Sequence, residues 1–172
     1  MTPPIYLKPR AVENPRELFA YLRDSIAWDE RMRARKIASF GVSYDYSQIS
    51  YPQVDMPVQL EALCDLVEKG QGFRPNNCLL NYYLDGNSSM GFHSDSSEEL
   101  APGTGVAIIS LGSTRSIVFR SKADKAREFS YPLEDGSLLY MTQEMQEHWL
   151  HAIPKEVDVG ERISLTFRHI LK

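Results

Sequence analysis

A chain of 172 residues with 42% hydrophobic and 24% charged residues can bury one sizeable core, and its composition excludes the disordered, collagenous and disulfide-rich classes. The net charge of −4 argues against a phosphate-binding surface spread over the whole molecule. Cys64 and Cys78 form no C-x-x-C pair and are expected as reduced buried thiols, and the lack of an 18-residue apolar run or a secretory h-region leads to the expectation of a cytoplasmic protein that contacts no membrane; a monomer is also expected.

The first helix is predicted over NPRELFAYLRDSIAW, with Asn14 as N-cap, Pro15 at the first helical position and Glu17 three residues after the cap. Its buried stripe is Leu18, Phe19, Leu22 and Ile26. Trp28 to Tyr51 reads as irregular and tyrosine-rich, and within it Arg31, Arg33, Arg35 and Lys36 occur with no acid among them. A second helix is predicted from about Asp55 to Glu68, with Leu60, Leu63 and Val67 at helical spacing and Gly70 as its terminator. From Asn77 onward the pattern changes to short β-like runs, CLLNYYL, GVAIISL, SIVFR, EFSYPL, SLLYM and ISLTFRHI, divided by Gly, Ser, Asp and Pro. A basic stretch from Arg115 to Arg127 carries five positive side chains beside Asp124, with solvated surface charge as one reading of it.

Helices followed by strands, with no helix between successive strands, imply an α+β fold that is mainly β. The expected architecture is a double-stranded β-helix, or jelly roll, with two supporting N-terminal helices. One domain over 1–172 is expected, with helices and a substrate-recognition segment over about 1–76 and the jelly-roll core over about 77–172.

Chemistry enters at His93-Ser94-Asp95. Strand side chains repeat every second residue, so this imidazole and carboxylate are predicted to share one side of a strand end. The chain has four histidines, and His151 and His148 both compete as a third ligand. Two histidines and one carboxylate on one face of an octahedral Fe(II) would leave three positions open for oxygen chemistry. An H-x-D alone occurs by chance in many proteins and needs its context. That context stands near the C-terminus, where alternation puts Arg162, Ser164, Thr166 and Arg168 on one strand face. Two inward arginines are costly unless they meet acids, and a dicarboxylate supplies acids that suit the planar guanidinium fork. Protein carboxylates such as Asp95 are the other available partners.

Taken in order, N-x-Y-x-x-G (Asn81, Tyr83, Gly86), H-x-D, S-L-G (Ser110 to Gly112), W-x-H and R-x-x-L-T-F-R resemble the AlkB family of Fe(II)/2-oxoglutarate dioxygenases. The likeness spans about Arg35 to Arg168 and is nearest the branch with E-L-A-P-G after the H-x-D and G-S-L-L before the last histidine. The resemblance implies His93, Asp95 and His151 as iron ligands, with 2-oxoglutarate and O2 as co-substrates. It implies that Arg162 pairs the distal carboxylate of 2-oxoglutarate, and that Arg168 holds the carboxylate nearest the metal while pairing with Asp95. Asn81 and Tyr83 would hydrogen-bond the co-substrate, and Ser164 belongs to the same pocket. The implied reaction is oxidative demethylation of N-alkylated nucleic acid bases, which releases formaldehyde, succinate and CO2.

For the substrate, the resemblance makes Tyr46, in the stretch Gly41 to Ser47 that also holds Tyr44, the candidate to stack a flipped base. Arg35 stands where a phosphate contact is expected. Two features depart from the family pattern. Ser97 replaces an acidic residue expected to contact a base amino group, and Glu98 substitutes for it only if the loop shifts by one residue. The family's duplex-probing hairpin is reduced to Asp29 to Ala34, which favours a single-stranded nucleic acid or a small substrate. The alternatives are a hydroxylase of a small molecule, free nucleotide, amino acid or peptide on the same iron site, and a metal-binding or interaction module without turnover.

Overall fold

Two strands with strict alternation set the frame. In β5 (Asn77–Tyr83) and β12 (Arg162–Arg168), every residue is buried, yet the two faces differ in chemistry. Cys78, Leu80, Tyr82, Ile163, Leu165 and Phe167 face an apolar layer with the helices. Leu79, Asn81, Tyr83, Arg162, Ser164, Thr166 and Arg168 face the interior of the barrel. Such a two-faced strand must sit at the centre of a sheet that is covered on both sides.

The computed structural model describes residues 2–171 and bears out a jelly roll with helical support. The larger sheet has six strands in the order β1 (Ile5–Lys8), β10 (Leu138–Met141), β7 (Val106–Gly112), β12, β5 and β2 (Lys36–Gly41). The smaller has four, in the order β6 (Met90–His93), β11 (Trp149–Ile153), β8 (Arg115–Ser121) and β9 (Glu128–Leu133). Neighbours pair antiparallel in both sheets. A two-residue turn joins β3 (Tyr44–Tyr46) to β4 (Ile49–Tyr51), and this hairpin pairs only with itself.

Helices α1 (Pro15–Ser25) and α2 (Val58–Gln71) bury Leu22, Leu60, Leu63, Cys64 and Val67 against the outer face of the larger sheet. Leu18, Phe19 and Ile26 join this layer partly buried. At about 25 cal/mol per Å2 each buried Leu or Val contributes roughly 1.5–3 kcal/mol, so this layer fixes the sheet's position. Inside the roll, Val106, Ile117, Phe119, Leu133, Leu139, Met141 and Met145 form a second core beside the cavity.

Several expectations are corrected. Asn14 precedes α1, but it lies at φ 50 and its side chain makes no cap hydrogen bond. α2 begins after Pro57 rather than near Asp55, and it runs through Gly70 to end at Gly72, whose φ of 81 supplies the left-handed turn. Trp28 to Tyr51 is not irregular, since β2, β3 and β4 all lie within it. Helices are therefore not followed simply by strands: β1 and β2 come from the first 76 residues and close the two edges of the larger sheet.

Candidate active site

Register builds the site. On β11 and β6, His151 stands directly opposite His93, and the rings lie 4.3 Å apart between centroids. Asp95 is not on the strand with His93, as strand alternation had suggested, because β6 ends at His93. Its position is fixed from outside instead. Its backbone N–H donates to Gln146 Oε1 at 2.8 Å, from α3 (Gln143–His148), and its Oδ2 lies 3.5 Å from Arg168 Nη2. Thr142 caps α3 through the Met145 N–H, which holds Gln146 in place.

Ligand atoms of His93, Asp95 and His151 all fall within 4.8 Å of one another. Among the described residues this is the group of His, Cys, Asp and Glu that can hold a metal ion, and His148 stands outside it, exposed at the end of α3. His93 Nδ1 lies 2.8 Å from the Gly91 carbonyl oxygen, which takes the N–H of that nitrogen and leaves Nε2 as the free lone pair. Burial pushes His151 down to about 4, so its imidazole is neutral and able to ligate at neutral pH. Burial works to raise the Asp95 carboxyl, but Arg168 and the two histidines outweigh it and hold the group below its ordinary value. Two imidazoles and one carboxylate make a donor set that fits Fe(II).

Opposite these residues, the same narrow cavity of about 40 Å3 is lined by Asn81, Tyr83, Arg162, Ser164 and Arg168, with Tyr46 at its wall. Arg162 is 1% exposed and donates Nη2 to Ser110 Oγ at 2.9 Å, while its Nε and Nη1 are buried without a partner. Arg168 Nη1 is likewise buried and unpartnered. Burial lowers Arg162 from its ordinary value, and the nearby Tyr83 hydroxyl opposes this without outweighing it. Unpaired buried donors cost about 1–3 kcal/mol each, so the cavity is built for an anion that supplies acceptors at its closed end. A dicarboxylate fits that requirement, and 2-oxoglutarate is one.

The substrate candidates divide. Tyr46 lines the cavity, and Tyr44 lies beneath Arg168, whose Cζ is 5.0 Å from the ring centroid. Ser97 and Glu98 do not line the cavity: Glu98 is exposed, and Ser97 uses its carbonyl to hold Leu100 N–H. Arg35 is not displayed for phosphate. It is 7% exposed and donates Nε to Asn81 Oδ1 and Nη2 to Tyr46 Oη, both at 2.8 Å.

Arg115, read above as one of a run of surface positives, is fully buried. Its Nη2 donates to the carbonyls of Ser88 and Pro154 at 2.8 Å, and its Cζ stands 5.4 Å from the Tyr83 ring, across from Arg162 at 4.9 Å. The signal for it was present, since Arg115 shares its strand phase with the buried Ile117 and Phe119. Two motif glycines are also explained by close backbone approach. A Cβ on Gly86 would stand 1.7 Å from the Glu156 carbonyl oxygen. One on Gly112, at φ +91, would stand 2.5 Å from that of Glu161.

Comparison with known proteins agrees with this geometry. The family model described as the 2OG-Fe(II) oxygenase superfamily matches residues 6–168. The human protein named DNA oxidative demethylase ALKBH2 is 38% identical over 149 residues, covering 80% of this chain and 57% of that protein. The rat alpha-ketoglutarate-dependent dioxygenase alkB homolog 3 is 30% identical over 169 residues, covering 87% and 57%. This chain thus spans little more than half the length of either relative. A solved structure of OsALKBH1 superposes with a TM-score of 0.76 at 15% identity, over 98% of this chain and 99% of that one, and so supports the fold. With its His-Asp-His group and its anion-seeking arginines in one cavity, the chain belongs to the 2OG-Fe(II) oxygenase superfamily as an AlkB-like member, whose cofactors are Fe(II), 2-oxoglutarate and O2.

Proposed function

We infer that the chain is an oxidative demethylase of N-alkylated nucleic acid bases, with single strands as its favoured form and formaldehyde, succinate and CO2 as products. The observation that carries this reading is the single cavity shared by the His93, Asp95 and His151 group and the unpartnered donors of Arg162. Fe(II) with 2-oxoglutarate and O2 supplies, when bound, the oxidant that hydroxylates a C–H bond next to nitrogen.

The chain's residues do the rest. His93, Asp95 and His151 would hold the iron, and Arg162 would take the distal carboxylate of 2-oxoglutarate. Arg168 would serve the carboxylate nearer the metal while steadying Asp95, and Asn81, Tyr83 and Ser164 would shape the wall between them. Ile108, Ile117, Leu133 and Ile153 keep this end of the cavity apolar, which excludes water and strengthens the charge contacts within it. Tyr46 offers its ring at the cavity wall for a base taken out of its stack.

A single-stranded substrate is supported by the short connection from α1 to β2. Asp29 pins it by accepting Arg31 Nε on Oδ1 and Arg31 Nη2 on Oδ2, by a 3.0 Å hydrogen bond from Tyr51 Oη and by a backbone bridge to Ile37. Among the described residues no hairpin rises there to enter a duplex. A hydroxylase of a small molecule is the second reading, favoured by the placement of Ser97 and Glu98 away from the cavity. The deciding experiment offers N-methylated single-stranded DNA, single-stranded RNA, duplex DNA and free nucleosides to the Fe(II)-loaded protein with 2-oxoglutarate, and measures formaldehyde and succinate. Formaldehyde from the single strands, absent in His93→Ala, is expected. Succinate production with no formaldehyde from any methylated nucleic acid overturns the demethylase reading in favour of the second.

A further inference from the structure

Arg35 stands apart from the surface charges around it. The described partners of its guanidinium are all neutral: Asn81 Oδ1 from Nε at 2.8 Å, Tyr46 Oη and the Met32 sulfur from Nη2 at 2.8 and 3.2 Å, and the Ser89 carbonyl from Nη1. A buried arginine without a carboxylate is retained at a cost, so the position calls for an explanation beyond packing. The three oxygen partners come from three elements that converge on the cavity: β5, β3, and the turn that leads into β6 and His93.

An arginine only donates hydrogen bonds, so its contact with Asn81 fixes which end of that amide it meets. Oδ1 is taken by Arg35, and the amide is left to present its NH2 end to the cavity. Every oxygen of 2-oxoglutarate is an acceptor, and an NH2 is the end of Asn81 it can use. On its other arm the same guanidinium holds the Tyr46 hydroxyl and, through it, the β3–β4 hairpin. This hairpin pairs with no other strand.

We propose that Arg35 is a positioning residue that couples the co-substrate pocket to the substrate-facing hairpin: filling the pocket against Asn81 immobilises Arg35, which in turn holds Tyr46 ready for the base. The proposal rests on the functional reading above and adds a coupling residue to it. Ordering of the hairpin on co-substrate binding passes through Arg35, and by linkage the substrate tightens co-substrate binding by the same factor.

The test is hydrogen exchange of the backbone amides of residues 44–51 in the Mn(II)-loaded protein, with and without 2-oxoglutarate, alongside titration of 2-oxoglutarate. In the unaltered chain, 2-oxoglutarate is expected to slow hairpin exchange about fivefold or more. Tyr46→Phe removes one oxygen and is expected to abolish that slowing while leaving 2-oxoglutarate affinity within about twofold. Arg35→Met is expected to abolish the slowing and weaken 2-oxoglutarate about tenfold, the loss of one charge-assisted contact. A merely structural Arg35 would raise exchange equally with and without co-substrate. Hairpin slowing in Tyr46→Phe equal to that of the parent overturns the proposal, and so does unchanged 2-oxoglutarate affinity in Arg35→Met. Should Arg35→Met not fold, the Tyr46→Phe arm decides alone. A parent protein that binds no 2-oxoglutarate overturns the functional reading itself, whereas one that binds it with no change in the hairpin overturns only the coupling.

Discussion

Arg162 and Arg168 are both buried, yet they stand in opposite electrostatic positions. Arg168 has Asp95 at 3.5 Å, while Arg162 has two orphaned nitrogens and the Ser110 hydroxyl. Replacing Arg162 by methionine removes a desolvated cation and its unpaired donors while keeping similar length. The metal-free protein is therefore expected to gain stability, by about 1–3 kcal/mol, while 2-oxoglutarate binding falls about 100-fold. Asp95→Asn is expected to do the reverse to stability, costing about 3–5 kcal/mol because Arg168 is left without its counter-ion, and to remove Mn(II) binding. Thermal melting of both metal-free variants, with Mn(II) and 2-oxoglutarate titrations, checks the pair. Equal destabilisation by the two substitutions would show that Arg162 is as well paired as Arg168.

At the scale of elements, what the sequence revealed depended on which physical signal each residue carried. β5 and β12 were legible because alternation of apolar and polar residues on a buried strand has only one register that buries both faces. Arg162 and Arg168 could be read from it, whereas His151 as the partner opposite His93 rested on the family resemblance and not on alternation. β2 was not legible, because Arg33 and Arg35 just before it and Lys36 at its start look like solvated charge, although Arg35 stands two residues ahead of Ile37, which is 1% exposed. Asp95 was placed on a strand because H-x-D fits strand spacing equally well whether or not the ladder continues. Its true support, Gln146, lies 51 residues away and leaves no local trace. The β3–β4 turn was missed for a related reason: its central residues are Ser47 and Gln48, at φ 51 and 65, where a tight hairpin ordinarily signals itself with Asn-Gly. Holding two such residues left-handed costs on the order of 1 kcal/mol each. The double substitution Ser47→Asn with Gln48→Gly is thus expected to raise the melting temperature by roughly 2–4 °C per kcal/mol regained. A lower melting temperature would mean that the two side chains support the turn more than its backbone resists them.

Across the whole molecule, the basic stretches contribute less field than their sequence suggests. Arg35 and Arg115 are buried. Arg31 is held by Asp29, Lys36 Nζ lies 3.3 Å from Glu30, and Arg120 Nη2 lies 2.6 Å from Glu128. With a net charge of −4 besides, these two stretches concentrate little positive field for a phosphate backbone. On the function proposed above, a methylated single strand would draw mainly on the stacked base and the cavity rather than on released counterions, since each neutralised phosphate of a single strand adds about 0.7 to the salt slope. The affinity of such a strand, followed by fluorescence anisotropy at several salt concentrations, is expected to fall with a log–log slope no steeper than about −2. At that slope a doubling of salt weakens binding only about fourfold, while Tyr46→Ala weakens it about tenfold or more by removing the stacking ring. A slope of about −5 or steeper would require a basic groove that these ion pairs do not leave open, and would move the source of affinity from the cavity to the backbone of the nucleic acid.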